Sequence, residues 1–139
     1  MLQIRNVDFD NINRKHIHSI RNEVFINEQG IDPQIEYDGL DSSAIHTLIF
    51  IKDKAVGTGR ILSDGHIGRV AVLNEYRSQS IGSKIIGSLI DVAVENNYDR
   101  VYLGAQKQAI NFYLKLGFTP FGEEFIEANI VHLSMEKTL

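Results

Sequence analysis

The sequence predicts a mixed α/β fold, with a central sheet of about six to seven strands and helices on both faces. Residues 44–52 form the strongest strand signal, an almost continuous apolar run that is typical of a central strand. Residues 81–96 place Ile85, Leu89 and Ala93 at helical spacing, which predicts one buried helix face. The predicted order is β-α-β-β-β-α-β-α-β-β. A meander followed by a crossover helix gives a sheet with parallel and antiparallel neighbours.

The first part of the chain predicts one strand and one long helix. Residues 2–7 alternate in the manner of a half-buried strand. Asp10 or Asn11 can cap a helix that continues to about residue 28. Gly30 and Pro33 then end the helix and begin a polar loop.

The rest of the chain predicts the meander and a second α/β segment. Turns at 53–54 and 63–65 separate the meander strands. A second short helix, 107–116, ends at Gly117 in a C-cap position. The remaining predicted strands are 55–62, 68–72, 100–103, 118–126 and 130–136. With no repeat or linker, residues 1–139 are expected to form a single domain.

The composition excludes several classes of function. A formal net charge of −4 without a basic run argues against nucleic acid as a partner. The absence of cysteine excludes a disulfide framework, a thiolate nucleophile and a cysteine-ligated zinc site. No signal peptide and no apolar run of about 18 residues can be recognised, so we expect a cytoplasmic protein without a membrane partner.

The loop that precedes helix 81–96 predicts a phosphate-binding site. A helix start leaves backbone N–H groups without partners, and the helix dipole is positive there. Gly82 and the small residues Ser78, Ser80 and Ser83 let a ligand approach the backbone. The loop lacks the Gly-Lys-Ser/Thr of a Walker loop and the three glycines of a dinucleotide fingerprint.

Two motifs in the sequence resemble those of a known family. Residues 77–82 read Arg-Ser-Gln-Ser-Ile-Gly and resemble the acyl-CoA loop Arg/Gln-x-x-Gly-x-Gly/Ala of the GNAT N-acetyltransferase superfamily, with Ser80 at the first glycine. Residues 109–118 read Ala-x-x-Phe-Tyr-x-x-x-Gly-Phe, which is similar to a second signature of the superfamily. The predicted element order is also similar to that fold, so the resemblance covers essentially the whole chain.

Other residues narrow the resemblance to the small bacterial ElaA or YjcF type of acyltransferase. They include Arg21-x-x-Val24-Phe25-x-x-Glu28-Gln29, Glu36-x-Asp38-x-x-Asp41, His46, Gly68-Arg69-Val70, Ala105-Gln106 and Ile130-x-His132. The first part also resembles acyl-homoserine-lactone synthases. Those synthases are longer and carry tryptophan in this region, whereas this chain has no tryptophan.

The resemblance implies acetyl-CoA as acyl donor and no metal. The cofactor-binding residues that it implies are Val70, Ala71, Val72, Arg77, Ser78, Gln79, Ser80, Ile81, Gly82, Ser83 and Asn111. Backbone N–H groups of residues 70–72 can hold the thioester oxygen and pair with the pantetheine arm. From spacing alone Tyr113 is a core residue, whereas the signature implies that its phenol is catalytic and protonates the leaving thiolate.

The acceptor side of the site has several candidates. The expected substrate-binding residues are Arg21, Glu28, Asp38, Asp41, His46 and His132. Carboxylates beside the cleft are expected to attract a cationic amine, one that can also carry a carboxylate. Arg21 and Arg60 could instead neutralise these carboxylates or bind an acidic part of the acceptor. The alternatives are a solvated loop surface for the carboxylates and core positions for the two histidines. The identity of the general base stays open among these groups and Glu36, and no HExxH-like spacing supports a metal site.

The expected function is transfer of an acetyl group from acetyl-CoA to a primary amine by direct attack in a ternary complex. The acceptor is expected to be a small molecule or a peptide, and a homodimer is left open. One alternative is an acyltransferase that uses longer or carrier-bound acyl chains, like the acyl-homoserine-lactone synthases. Another is a non-catalytic acyl-CoA sensor, which the serine at position 80 keeps open.

Overall fold

The fold is taken from a computed structural model that describes residues 1–139. Its strands are β1 (Leu2–Val7), β2 (Ile45–Ile51), β3 (Lys54–Ile61), β4 (Ile67–Val72), β5 (Arg100–Gln106), β6 (Thr119–Pro120), β7 (Phe125–Glu127) and β8 (Ile130–Thr138). Its α-helices are α1 (Asn11–Arg21), α2 (Pro33–Glu36), α3 (Ile81–Glu95) and α4 (Ile110–Lys115). Helix α1 continues as a π-helix over Asn22–Glu28, and single 3₁₀ turns cover Asp41–Ser43, Asn74–Tyr76 and Lys107–Ala109.

The predicted mixed α/β class is confirmed, with the strands arranged in two antiparallel sheets. The first sheet has the order β1-β2-β3-β4. The second has the order β5-β8-β6, and β7 also pairs with β8. A single parallel bridge between His66 and Tyr102 connects β4 with β5. The count is therefore eight strands, because the predicted strand 118–126 is divided into β6 and β7.

Helices cover both faces of the first sheet. Ile17 and Ile20 of α1 pack in one apolar cluster with Leu48 of β2. Ile85 of α3 packs in a second cluster with Ile49, the next residue along β2. Because successive strand residues point to opposite faces, a strand covered on both sides needs apolar residues at every position. This arrangement accounts for the continuous apolar run at 44–52.

Strands β4 and β5 diverge beyond their bridge and leave a cleft between the two sheets. The Tyr102 amide donates to the Gly65 carbonyl at 3.0 Å, but the strands do not pair further along. On its other side β4 contains a bulge, since register shifts as it pairs with β3. Arg69 lies at this bulge with φ 53, in the left-handed region. A bulge bends its strand and re-aims side chains, here toward the cleft.

Candidate functional site

The cleft between β4 and β5 contains two adjoining pockets. The first, which we term the loop pocket, has a volume of about 680 Å³ and is formed by β4, the loop after it and the start of α3. The second, termed the β5 pocket, has a volume of about 450 Å³ and lies between β4, β5, β7 and β8. Four residues line both pockets: Gln29, Val70, Ala109 and Tyr113. The pockets therefore meet at one junction beside Tyr113.

Most of the predicted cofactor-binding residues surround the loop pocket. Those that line it are Val70, Ala71, Val72, Arg77, Ser78, Ser80, Ile81, Gly82 and Ser83. Gln79 and Asn111 are exposed and do not line it. Nine of the eleven predicted cofactor-binding residues thus line one pocket, and the other two lie outside it.

The backbone of this loop presents free N–H groups. None of the amides of residues 78–83 donates to an acceptor within the protein. Ser78 and Ser80 adopt positive φ values of 65 and 62, so the chain turns sharply there. Ser80 is the N-cap of α3, yet its side chain makes no capping bond. Unpartnered amides at the positive end of a 15-residue helix favour an anionic ligand.

Arg77 and Glu28 form an ion pair at the mouth of the loop pocket. The guanidinium donates to both Glu28 carboxylate oxygens, at 2.6 and 2.8 Å. Its Nε also donates to the Val72 carbonyl at 2.9 Å, which holds the arginine against the end of β4. The Arg77 hydrogen bond lowers the pKa of Glu28. Glu28 is thus held by Arg77 and lines the loop pocket, not the β5 pocket.

Tyr113 is positioned by the cap of helix α4. Gly117, at φ 92, takes the left-handed position after the helix. The amides of Gly117 and Phe118 then donate to the carbonyls of Leu114 and Tyr113, at 3.0 and 3.1 Å, which is the Schellman pattern. This turn packs the ring of Phe118 edge-on against Tyr113, with the ring centroids 5.7 Å apart. The predicted Gly117 cap is therefore confirmed.

The Tyr113 hydroxyl remains protonated at neutral pH. The residue is only 8% exposed. Burial raises the pKa of Tyr113 to about 12. Its hydroxyl makes no hydrogen bond within the protein and is not sealed from the cleft. A protonated phenol at the junction can donate a proton there.

Apolar and polar residues line the β5 pocket, and we term the polar lining residues its rim. Its polar lining residues are Gln29, Glu36, His66, Arg69, Tyr102, Gln106, Glu127, His132 and Ser134. Gln106 donates to Gln29 Oε1 at 3.0 Å, and this bond joins β5 to the end of the first helix. His132 lies on β8 opposite Gln106 and is the one predicted substrate-binding residue that lines this pocket.

A buried cluster of ion pairs lies behind Arg69. We term it the ion-pair cluster; it consists of Arg21, Arg60, Arg69, Glu36, Asp38 and Asp41. Arg21 is fully buried and donates to Glu36 Oε2 and Asp41 Oδ1, each at 2.6 Å. Arg60 donates to both Asp38 and Asp41. Three guanidinium groups therefore compensate three carboxylates.

The pKa shifts in this cluster reflect two opposing effects, burial of the carboxylates and their pairing with arginines. Burial by itself raises the pKa of Asp41, but the hydrogen bonds and charges of Arg21 and Arg60 outweigh it and hold that pKa below its ordinary value. The pKa of Asp38 is lowered in the same way by Arg60. For Glu36 burial prevails over the charges of Arg21 and Arg69, so its pKa is raised.

Four of the predicted substrate-binding residues lie outside both pockets: Arg21, Asp38, Asp41 and His46. His46 is 1% exposed, stacks on Phe9 and has Nε2 3.0 Å from the Asp41 carbonyl oxygen. Burial lowers the pKa of His46, which disfavours its charged form. Each carboxylate of the predicted acidic group is thus paired with a guanidinium, in line with the alternative that Arg21 and Arg60 neutralise the acidic loop. Direct contact between these four residues and an acceptor stays a prediction, and none of the four lines either pocket.

The residues at the junction and rim include several to which sequence reasoning assigned no role. Gln29, Arg69 and Gln106 line the β5 pocket. They occur among the residues that resemble the ElaA or YjcF type, and that resemblance was the only signal for them. His66, stacked on Tyr102 at 4.6 Å beside the β4–β5 bridge, had no sequence signal.

A family model described as the acetyltransferase (GNAT) domain matches residues 12–139 of the chain. The chain belongs to this GNAT family. Its sequence is 36% identical to the uncharacterized N-acetyltransferase YjcF of Bacillus subtilis, over 85% of this chain and 87% of the relative. The crystal structure of ElaA from Escherichia coli has a TM-score of 0.88 and 28% identity, covering 99% of both chains. A crystal structure of an acyl-CoA N-acyltransferase from Pseudomonas aeruginosa has a TM-score of 0.88 and 27% identity, with the same coverage.

These similarities confirm the resemblance to the ElaA and YjcF type. As a GNAT protein the chain is an N-acyltransferase that uses acyl-CoA and an amine acceptor, either a small molecule or a peptide. No three of its His, Asp and Glu side chains are grouped so that they could hold a metal ion. None of its helices combines the length and apolar character needed to cross a membrane.

Proposed function

We propose that this GNAT protein transfers an acetyl group from acetyl-CoA to a primary amine by direct attack in a ternary complex. The observation that carries the proposal is the junction of the two pockets at Val70 and Tyr113. A donor in the loop pocket and an acceptor in the β5 pocket would bring their reacting groups together there. Such positioning is a major source of rate enhancement in two-substrate reactions.

The pyrophosphate of acetyl-CoA is proposed to lie on the loop at residues 78–83. The free amides there and the start of α3 supply donors for phosphate oxygens. The edge of β4 that faces β5 has no strand partner beyond the bridge. The amide groups of the pantetheine arm can pair with this edge as an added strand. Arg77 can leave Glu28 and bind a phosphate instead, because the side chains of Arg77 and Glu28 are each about two-fifths exposed.

The chemistry at the junction follows from the thioester. The amine nitrogen attacks the thioester carbon, the C–N bond forms, and charge develops on the carbonyl oxygen, where backbone N–H groups of residues 70–72 can stabilise it. The C–S bond then breaks. The thiolate takes a proton from the Tyr113 hydroxyl, which solvent replenishes. The pKa of Tyr113, raised by burial to about 12, keeps this proton in place at neutral pH.

The acceptor is proposed to be a small primary amine. A volume of about 450 Å³ lies within the usual range for small-molecule sites. The compensated ion-pair cluster adds little net charge, so recognition falls to the rim, where Arg69 and Glu127 carry opposite charges. Arg69 can receive a carboxylate on the acceptor, because its NH1 group makes no bond within the protein.

Thiol release with acetyl-CoA tests this proposal. The amine panel pairs molecules with and without a carboxylate: serine with ethanolamine, and tyrosine with tyramine. Amine-dependent release of CoA by the wild type supports transfer. Tight acetyl-CoA binding without turnover of any amine would instead identify a sensor, and turnover only with long-chain acyl-CoA would identify the longer-chain alternative.

Calorimetry with a matched pair of variants tests the loop. Gly82→Asp places a carboxylate beside the proposed pyrophosphate, and its Cβ meets only the Phe112 ring, at 3.3 Å. Gly87→Asp, on an exposed face of the same helix with nothing within 4 Å, is the control. We expect the first variant to lose acetyl-CoA binding and the second to keep it. Equal binding by both would remove the loop from the site.

A further inference from the structure

His132 presents one ring nitrogen as a free base in the β5 pocket. Its Nδ1 lies 2.7 Å from the Ile130 carbonyl oxygen, which can only accept, so the proton of the neutral ring lies on Nδ1. The Nε2 atom therefore carries the lone pair and makes no hydrogen bond within the protein. Stacking on Phe125, with ring centroids 5.4 Å apart, fixes the ring plane. Gly104 permits this stack, since a Cβ there would lie 3.1 Å from Phe125.

The register of β5 places His132 at the junction end of the pocket. His132 is opposite Gln106, so both side chains are on one face of the sheet. Gln106 is bonded to Gln29, which lines both pockets. His66 instead stacks on Tyr102 at the bridge. Tyr102 and Gln106 are four positions apart along β5, which corresponds to about 13 Å. Of the two pocket histidines, His132 is thus the one beside the junction.

The pocket carboxylates are poorer candidates for a base. Both oxygens of Glu36 are in ion pairs, with Arg21 at 2.6 Å and with Arg69 at 3.2 Å. Glu127 is exposed at the end of β7. Neither presents a free, shielded lone pair at the junction.

The geometry points to His132 as the general base that deprotonates the acceptor amine. This inference rests on the proposed function and adds a catalytic residue to it. The acceptor enters as an ammonium ion, Nε2 removes one proton, and the neutral amine attacks the thioester carbon. A second proton leaves the nitrogen after the C–N bond forms and balances the proton that the thiolate takes from Tyr113. The net products are amide, thiol and one proton, which imidazolium passes to solvent.

Other titratable groups near His132 also contribute to the pH dependence of turnover. The titratable groups that share the pocket with it are Glu36, His66, Arg69, Tyr102, Tyr113 and Glu127. On the segments packed against β8, Lys107 and Glu124 approach to 4.0 Å and Arg100 pairs with Glu136 at 2.8 Å. A matched variant at His66 therefore serves as the internal control for the pH profile.

The test compares His132→Gln with His66→Gln in the thiol-release assay, using the panel amine with the highest turnover. We expect His132→Gln to lower kcat by about 10²–10⁴-fold, with little change in the KM for acetyl-CoA, and to lose the acid limb of the kcat/KM profile. His66→Gln should keep that limb. In His132→Ala, added imidazole should restore turnover in proportion to its free-base form.

The outcomes separate this inference from the proposed function. If the wild type turns over an amine and His132→Gln keeps the kcat and the acid limb, the inference is wrong and the proposed function stands. Restoration that follows imidazolium, or no restoration in a folded His132→Ala, also overturns it. If the wild type turns over no amine, the proposed function fails and the inference fails with it.

Discussion

Replacing Tyr113 by phenylalanine should make the protein more resistant to alkali. The pKa of Tyr113 is raised from 10.0 to about 12 by burial, so the folded state holds the phenolic proton more tightly than the unfolded chain. The associated stability is complete below pH 10 and is lost as the pH rises through 12. This difference in pKa corresponds to about 3 kcal/mol, of which about half is lost by pH 11. The phenylalanine variant lacks this loss.

Urea unfolding followed by circular dichroism at pH 8 and pH 11 measures the effect. At pH 8 the two proteins should have similar free energies of unfolding, because the Tyr113 hydroxyl makes no hydrogen bond within the protein. At pH 11 the free energy of unfolding of the variant should exceed that of the wild type by about 1 kcal/mol. Tyr98→Phe, a tyrosine packed on the same core, is the control and should retain the wild-type loss. Equal losses in the wild type and in Tyr113→Phe would refute the buried, protonated phenol.

Two further changes test the ion-pair cluster and the loop. Arg21→Met leaves Glu36 and Asp41 buried without their main partner, so it should lower the free energy of unfolding, measured with urea, by about 3–5 kcal/mol. The control Arg14→Met, on the exposed face of the same helix, should lower it by under about 1 kcal/mol. Similar losses in the two variants would contradict a stabilising role of Arg21 in the ion-pair cluster. Ser80 has a left-handed backbone conformation, with φ 62, which glycine adopts without strain. Ser80→Gly should therefore raise the free energy of unfolding, measured by thermal denaturation, by about 0.5–1 kcal/mol, and Ser80→Ala should give no such gain.

Local sequence patterns predicted most helices and strands, because these elements depend mainly on residues that are close together in the sequence. The apolar run at 44–52 and the helical spacing at 81–96 correspond to β2 and α3, which pack together. Gly117 marked the end of α4 through its left-handed conformation. Strand β5 extends to Gln106, beyond the predicted residue 103, since it pairs with β8 along its whole length. Such long-range pairing leaves no local signal.

The sequence predicted the loop side of the candidate site more completely than the acceptor side, of which it identified Tyr113 and His132. The loop residues are contiguous, so a motif could identify most of one pocket wall. The other pocket gathers side chains from four strands, and His132 reaches the junction only through its register with Gln106. Arg21 pairs with Asp41 across 20 residues, so the sequence could offer neutralisation of the acidic loop only as one alternative.

The proposed catalytic role of Tyr113 at the pocket junction is tested most directly by steady-state kinetics. Thiol release is measured for the wild type and Tyr113→Phe, with acetyl-CoA and the panel amine of highest turnover, and circular dichroism verifies that both are folded. If Tyr113 donates the proton to the leaving thiolate, kcat should fall by about 10²–10⁴-fold while the KM for acetyl-CoA changes little. A phenylalanine variant with the wild-type kcat would contradict it and return Tyr113 to a purely structural position.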